Sequence, residues 1–354
     1  MITQSSPAGP RVLLVYGGRS SEHGVSCATA SEVSAVIDRD AYDVRAVGVT
    51  RDGRWVEQLP HWPDLPAGKL PEVDDSLPTM AWESVAESDV VFPLLHGPWG
   101  EDGTLQGLLE MADVRYVGAG VLASAVGMDK PFAKALFAAG GLPQVPHVTV
   151  EGSAWPADRE RVEARSRALG LPVFVKPARA GSSSGVVKVD DWGDLAAAIE
   201  QAREFDPKVL IEAGAVGARE VECGVIQAPD GTPMASVVGE VVVADSSGHA
   251  FYDFEAKYLD GTSTNMVPAD LPVTVSERIR TYAVQAFEAI GAEGLARVDF
   301  FLRGDDLVLN EINTMPGFTT SSMFPLLWEA SGIGYAELVD RLLRLALARN
   351  TGLR

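Results

Sequence analysis

The chain has 354 residues, 46% of them hydrophobic, which is too much for one ordinary core and suits two or three domains. Acidic side chains outnumber basic ones 49 to 29, a formal charge of −20, which argues against nucleic acid or anionic lipid as a partner and requires any anionic ligand to meet a local cluster of Lys and Arg. Only Cys27 and Cys223 occur and no two His are close in sequence, so zinc-type spacing is excluded; with no basic leader and no 18-residue apolar window, the expected location is the cytoplasm, away from the membrane.

Taken in order, "RVLLVYGG" (11–18) is a short apolar run closed by glycines, the pattern of a strand buried on both faces of a parallel sheet, and a helix is expected across 24–37. "YDVRAVGV" and "DVVFPLLHG" continue the strands, and "GTLQGLLEMADV" supplies a helix before "RYVGAG", so 1–125 reads as an open, Rossmann-like α/β domain. The proline-rich stretch 59–78 reads as a surface excursion. A small α+β unit follows over 126–213: helix "KPFAKALFAAGG", strand "LPVFVKPA", helix "WGDLAAAIEQARE", strand "KVLIEA".

The remainder, 214–354, opens with "EVECGVI" and "MASVVGEVVV", an expected antiparallel pair. A long stretch at about 244–272 reads as a lid or binding loop. A helix (276–290), a hairpin in "RVDFFLRGDDLVLNEINTMPG" (297–317) and an amphipathic helix near 334–349 complete the chain.

Within the hairpin, residues of like parity share a face. A three-residue "GDD" loop would set Asp299 opposite Glu311 and Arg297 opposite Asn313. Two readings stand: the carboxylates and the carboxamide are oxygen ligands for a hard ion such as Mg²⁺, or Asp299 and Glu311 pair with Arg297 in a structural salt bridge.

"FVKPARAGSSSGV" (174–186) sets Lys176 at a strand end before a loop able to close its amides over a phosphate, although no Walker A sequence is present. The G-x-G-x-x-A in "VGAGVLASA" lacks a following strand with an acidic end, so a nicotinamide fingerprint is rejected. Glu22 lies near a helix start, where simple capping is the plainer reading, and His96 stands just past a buried strand, where open α/β sheets bind ligands.

In order along the chain, "GGRSSEHGVS", "LHGPWGEDGT", "MDKPFAK", "VKPARAGSSSGV", "IEAGAVGAREVE", "FYDFEAKY" and "RVDFF…NEINTMPGFTTSSMFP" resemble the D-alanine:D-alanine ligases of the ATP-grasp superfamily over nearly the whole length. The resemblance implies an ATP-grasp fold and the joining of two D-alanines through a D-alanyl phosphate, with ADP and phosphate released. It implies Lys130, Lys176, Ser182, Ser183, Tyr252 and Lys257 at the nucleotide, Glu212 at adenine and Glu220 at ribose. Asp299, Glu311 and Asn313 would hold two Mg²⁺ (or Mn²⁺) ions.

Around the amino acids it implies Glu22 at the first ammonium, His96 beside that substrate, and Arg297 with the Gly317 amide at the reacting carboxyl. Ser322 with Met323 would take the second carboxylate. Tyr258, in the lid, would bond Ser182, which in turn meets Glu22; relatives that make the D-lactate ester tend to lack this tyrosine. Ala213 and Gly214 stand where many members carry larger residues, so contacts to adenine there would be through backbone; Met315 stands at a variable position. Members are often homodimers. The rival readings are another carboxylate–amine ligase of the superfamily and a nucleotide-binding regulator without catalysis.

Overall fold

Three sheets carry the chain in the computed structural model, which describes residues 9–63, 65–66, 69–153, 155–243 and 263–352. The first contains β1 (Arg11–Gly17), β2 (Asp43–Val49), β3 (Trp55–Glu57), β4 (Val90–Pro93) and β5 (Arg115–Tyr116) in the order β3-β2-β1-β4-β5. All pairings are parallel except β2 with β3. The unbroken apolar run of β1 has a direct cause. Val12, Leu14 and Tyr16 pack with Cys27, Ala30 and Val33 of α1 (His23–Val36), while Leu13 and Val15 pack with Leu105 and Leu109 of α3 (Thr104–Met111); the four-residue α2 (Glu83–Ala86) precedes β4.

Because β2 and β4 flank β1 on opposite sides, the loops that leave β1 and β4 open beside each other at their carboxyl ends, where such sheets bind ligands. Glu22 and His96 lie on those loops.

The stretch 59–78, expected on the surface, packs inward in part. A Cβ at Gly24 would meet Leu70, and one at Gly17 or Gly48 would meet Val73, so glycines open holes that single apolar residues of the stretch fill. Trp62 sets its ring edge-on to Tyr16, and the Val73 amide donates to His23 Nε2 at 3.1 Å. Plugs inserted one at a time leave no periodicity to read.

The second sheet follows α4 (Val121–Met128) and α5 (Lys130–Ala139). It joins β6 (His147–Val150), β7 (Val173–Pro177), β8 (Val187–Val189) and β9 (Val209–Ala213) in the antiparallel order β6-β9-β7-β8. Trp155 and Val162 of α6 (Trp155–Arg167) and Leu195, Ala198, Ile199 and Ala202 of α7 (Leu195–Arg203) are buried in its core.

The third sheet is antiparallel throughout, in the order β12-β11-β10-β13-β14. Its strands are β10 (Arg219–Gln227), β11 (Pro233–Val243), β12 (Ser263–Met266), β13 (Leu295–Arg303) and β14 (Asp306–Asn313), packed against α8 (Val273–Ala289). β12 lies inside the stretch 244–272 that was expected to be loop; "STNM" is a polar edge strand recognised by no apolar alternation. Tyr252, Lys257 and Tyr258 lie outside the described residues.

After α9 (Met323–Ala330), the last helix, α10 (Tyr335–Ala348), returns to the first sheet. Its Leu338, Val339, Leu342, Leu343 and Ala346 are buried in one cluster with Val12, Leu14 and Phe92, and Tyr42 donates to Asp340 at 2.8 Å. The last helix thus shares a core with the first sheet, and α4 spans Val121–Met128.

In the hairpin, Asp299 pairs with Glu311 and Arg297 with Asn313, but not through a three-residue loop. Arg303 pairs with Asp306, which leaves only Gly304 and Asp305 in the turn, and a bulge at Asn310 then shifts the register by one. Without that bulge, the side chains of one strand would be displaced by one residue relative to the other.

Candidate active site

A cavity of about 770 Å³ opens where the three sheets meet. Its floor is polar by construction: Glu222 of β10, Asp299 of β13 and Glu311 of β14 stand side by side in register across three strands. Arg297, two residues before Asp299 and so on the same face, places Nε 2.7 Å from Asp299 Oδ1 and 2.8 Å from Glu222 Oε2, with Nη2 2.8 Å from Asp299 Oδ2. Asn313 Nδ2 donates to Asp299 Oδ2 at 3.0 Å.

The salt-bridge reading of the hairpin is thus formed for Asp299, while Glu311 has Lys130 Nζ at 3.8 Å. Among the described residues no three His, Cys, Asp or Glu side chains are grouped to hold an ion. The donor set still fits a hard divalent cation, because Asp299, Glu311 and Asn313 offer oxygens only.

At one end of the cavity the second sheet supplies Lys176 and Glu212. Phe174 is in register with Glu212 and Lys176 is two residues further on, so all three share a face. Lys176 Nζ lies 2.6 Å from Glu212 Oε2, and Lys134 Nζ of α5 lies 2.6 Å from Oε1. Burial opposes ionisation of Glu212, but the two lysines outweigh it and hold its carboxyl below the usual range. Burial likewise pulls the Lys176 ammonium down; Glu212 more than offsets this and leaves its pKa raised.

Gly214, next along β9's exit, has its amide on Pro172 O at 2.9 Å, and a Cβ there would fall 2.8 Å from that oxygen. Close backbone passage explains the small residue. Glu220 also lines this end.

The Gly/Ser loop crosses above. Ser182 and Ser183 are consecutive left-handed residues, at φ +49° and +57°, a costly conformation for serine that curves the backbone into a concave turn. The loop is anchored from two sides: Lys130 Nζ donates to Ala180 O at 2.8 Å, and Arg179 holds Asp206 through Nε at 2.9 Å and Nη2 at 2.7 Å.

The other end gathers the loops of the first sheet. Ser182 Oγ donates to Glu22 Oε1, joining residues 160 positions apart. Glu22 is buried against two glycines: a Cβ at Gly181 or Gly97 would lie 2.6 or 2.7 Å from its Oε2. Ser20 Oγ donates to His96 O at 2.7 Å, tying the two loops together. His96 is enclosed, with Nδ1 3.2 Å from Met315 O and Nε2 3.2 Å from Thr29 Oγ1.

Glu101 lies 3.9 Å from His96 Nδ1 and accepts from the Gly97 amide at 2.6 Å. Burial, reinforced by the charge of Glu22, pushes its carboxyl up to about 8, and burial lowers the His96 imidazole. Near neutral pH this pair carries little charge.

Gly317 and Ser322 line the cavity, and a Cβ at Gly317 would lie 3.2 Å from Ser322 Oγ. Ser322 Oγ accepts from the Thr319 amide at 3.1 Å, closing the turn that starts α9. Met323 points its side chain into a core with Val241 and Leu327, so what it can offer a ligand is the backbone at a helix N-terminus.

The described site residues named from sequence all line this one cavity, whereas Tyr252, Lys257 and Tyr258 fall outside the described residues. Lys134, Glu222 and Glu101 were missed. Lys134 is four residues after Lys130 on one helix face, and Glu222 shares the parity of Glu220, so both had a signal. Glu101 had none beyond its closeness to His96.

The three sheets around a shared cavity define an ATP-grasp fold. The chain belongs to the D-ala D-ala ligase family, whose N-terminus model matches residues 11–119 and whose C-terminus model matches 136–344. It is 51% identical to a D-alanine–D-alanine ligase of Pseudarthrobacter chlorophenolicus, covering 100% of this chain and 99% of the relative, and 53% identical to that of Kineococcus radiotolerans over 99% and 100%. Among solved structures it resembles the VanG D-Ala:D-Ser ligase from Enterococcus faecalis (33% identity, TM-score 0.79, 96% and 99% covered). It also resembles D-alanyl-alanine synthetase A from Vibrio cholerae (30% identity, TM-score 0.80, 97% and 100% covered).

Proposed function

We propose that this enzyme joins two D-alanines to D-alanyl-D-alanine at the expense of ATP, supplying a peptidoglycan precursor in the cytoplasm, and that it acts as a homodimer. The observation that carries this reading is the Glu22–Ser182 contact: a carboxylate suited to an ammonium is bonded to the loop suited to phosphates, which supports one site for both substrates in the cavity that Arg297 also lines. Three units, 1–125, 126–213 and 214–354, contribute the amino-acid end, the nucleotide end and the floor.

Glu22 pairs with the first ammonium, beside His96. Lys130, Lys176, Ser182 and Ser183 receive phosphates, Glu212 accepts from the exocyclic amine of adenine, and Glu220 binds the ribose. A carboxylate oxygen of the first D-alanine forms a bond to the γ-phosphorus as the bond to the bridging oxygen of ADP breaks. The second amine, having lost its proton, then attacks the acyl carbon, and phosphate leaves. Arg297 and the Gly317 amide steady the charge on the tetrahedral centre. Ser322 and the start of α9 hold the second carboxylate.

Asp299, Glu311 and Asn313 would hold two Mg²⁺ (or Mn²⁺) ions, which neutralise phosphate charge when bound. From the family resemblance, and outside the described residues, Tyr252 and Lys257 are assigned to ATP and Tyr258 to the choice of an amine over D-lactate.

Mixing the protein with ATP, Mg²⁺ and D-alanine, and following phosphate and product mass, tests this; L-alanine, D-serine and D-lactate run alongside. Dipeptide from D-alanine alone is expected. A mixed D-alanyl-D-serine product would move the second substrate toward that of the VanG relative, and no turnover with any D-amino acid would overturn the reading.

A further inference from the structure

Lys134 carries a buried charge that the catalytic steps above do not use. It is 2% exposed and, unlike Lys130 one turn earlier, does not line the cavity. Its ammonium is 2.6 Å from Glu212 Oε1, on the far side of the carboxylate from Lys176. Its backbone is fixed too, because Gln144 Nε2 donates to Lys134 O at 2.9 Å. His147, in register with Glu212 on β6, is no substitute counterion, since burial and the Lys134 charge lower its pKa.

Two lysines on one carboxylate are more than its neutralisation requires. A phosphate entering the cavity competes with Glu212 for Lys176, which lines the cavity and has the reach of a flexible side chain. When Lys176 turns away, Glu212 would be a buried, unpaired charge were it not for Lys134, and an uncompensated buried carboxylate is costly enough to be neutralised instead. A protonated Glu212 would lose acceptor strength toward an exocyclic amine.

We propose that Lys134 is a positioning residue for nucleotide recognition: the permanent counterion that keeps Glu212 ionised and aimed into the cavity, freeing Lys176 to pass from Glu212 to the phosphates. Base selection and phosphate binding are thereby separated between two lysines that share one carboxylate. This rests on the nucleotide reading of the site given above.

The test compares wild type, Lys134→Met, Glu212→Gln and the double variant Lys134→Met/Glu212→Gln by steady-state kinetics with ATP and with GTP, and by equilibrium binding of ATP. Lys134→Met is expected to raise KM for ATP at least about tenfold and narrow the preference for ATP over GTP, with kcat and KM for D-alanine within about threefold. A purely structural role would instead lower kcat and raise both KM values together, overturning the proposal. Glu212→Gln leaves no carboxylate for Lys134 to serve, so adding Lys134→Met to it should change KM for ATP by less than about threefold relative to Glu212→Gln alone.

If Lys134→Met does not fold, the double variant compared with Glu212→Gln decides alone, and a further tenfold rise in KM for ATP contradicts the proposal. Unchanged ATP affinity and base preference in Lys134→Met contradict it as well. Wild type that binds no ATP would instead sink the nucleotide reading beneath it.

Discussion

The two ends of the cavity are built by different means. At the nucleotide end the functional side chains stand on regular elements: Phe174 and Lys176 on β7, Glu212 on β9, Lys130 and Lys134 one turn apart on α5. Their positions follow from strand and helix periods, and the charges of Lys134, Lys176 and Glu212 are paired within the same unit, while Lys130 faces Glu311 of the third sheet. At the amino-acid end, Glu22, His96, Glu101 and Ser182 sit on loops, two of which leave the first sheet at its switch point. Only tertiary assembly brings these together, through Ser20 on His96 O, Met315 O on His96 and Ser182 on Glu22. A binding end made of paired lattice positions should tolerate loss of one contact differently from an end made of loop contacts, and the floor between them should tolerate it least.

The floor gives the largest expected effect. Glu311→Gln keeps shape but removes charge from a proposed ion ligand, so the barrier should rise by several kcal/mol and kcat fall about 10³-fold, with the melting temperature unchanged. Activity near wild type with Mg²⁺ would show that the ion site is misplaced. Arg297→Met should cost about 10²–10³-fold in kcat. It should also cost about 3–5 kcal/mol in denaturant-measured stability, because Glu222 and Asp299 lose their shared partner. Loss of rate without loss of stability would separate catalysis from that pairing.

On the loop side, Ser182→Ala breaks the hydrogen bond from the Gly/Ser loop to Glu22. A hydrogen bond to a charged group contributes about 1.5 kcal/mol or more, so stability should fall by about that amount and, with Glu22 no longer anchored, KM for the first D-alanine should rise about tenfold. Equal effects on ATP and D-alanine would erase the distinction between the ends.

The effect at Glu101 is on stability and grows with pH. Its carboxyl is raised from an ordinary 4.5 to about 8 in the folded protein, so the native state holds a proton that the unfolded chain releases. Stability is therefore full below about 4.5 and falls as pH climbs toward about 8, by at most about 1.4 kcal/mol per pH unit. Glu101→Gln mimics the protonated form, and its melting temperature relative to wild type should rise across that window. Parallel pH profiles for the two would mean that Glu101 is ionised throughout.

How much was legible follows the same division. The parity of Arg297, Asp299, Glu311 and Asn313 gave the correct pairing, yet for the wrong reason: a shorter turn and the bulge at Asn310 cancel each other. No local pattern marks a bulge in advance. The β1 run was readable because helices cover both faces, whereas β12 was invisible as a four-residue polar edge, and α10 gave no sign that its apolar stripe belongs to the first sheet. Glu22 alone reads as a helix cap; its bond to Ser182, 160 residues away, came only through resemblance to a family.

The central claim is that ATP and an amino-acid carboxylate react directly over the Arg297 floor. Turnover with D-alanine carrying ¹⁸O in its carboxyl group tests it most directly, by mass analysis of the released phosphate. One labelled oxygen in phosphate for each dipeptide formed is the predicted result, because the attacking oxygen leaves with the phosphoryl group. Dipeptide accompanied by unlabelled phosphate would contradict it.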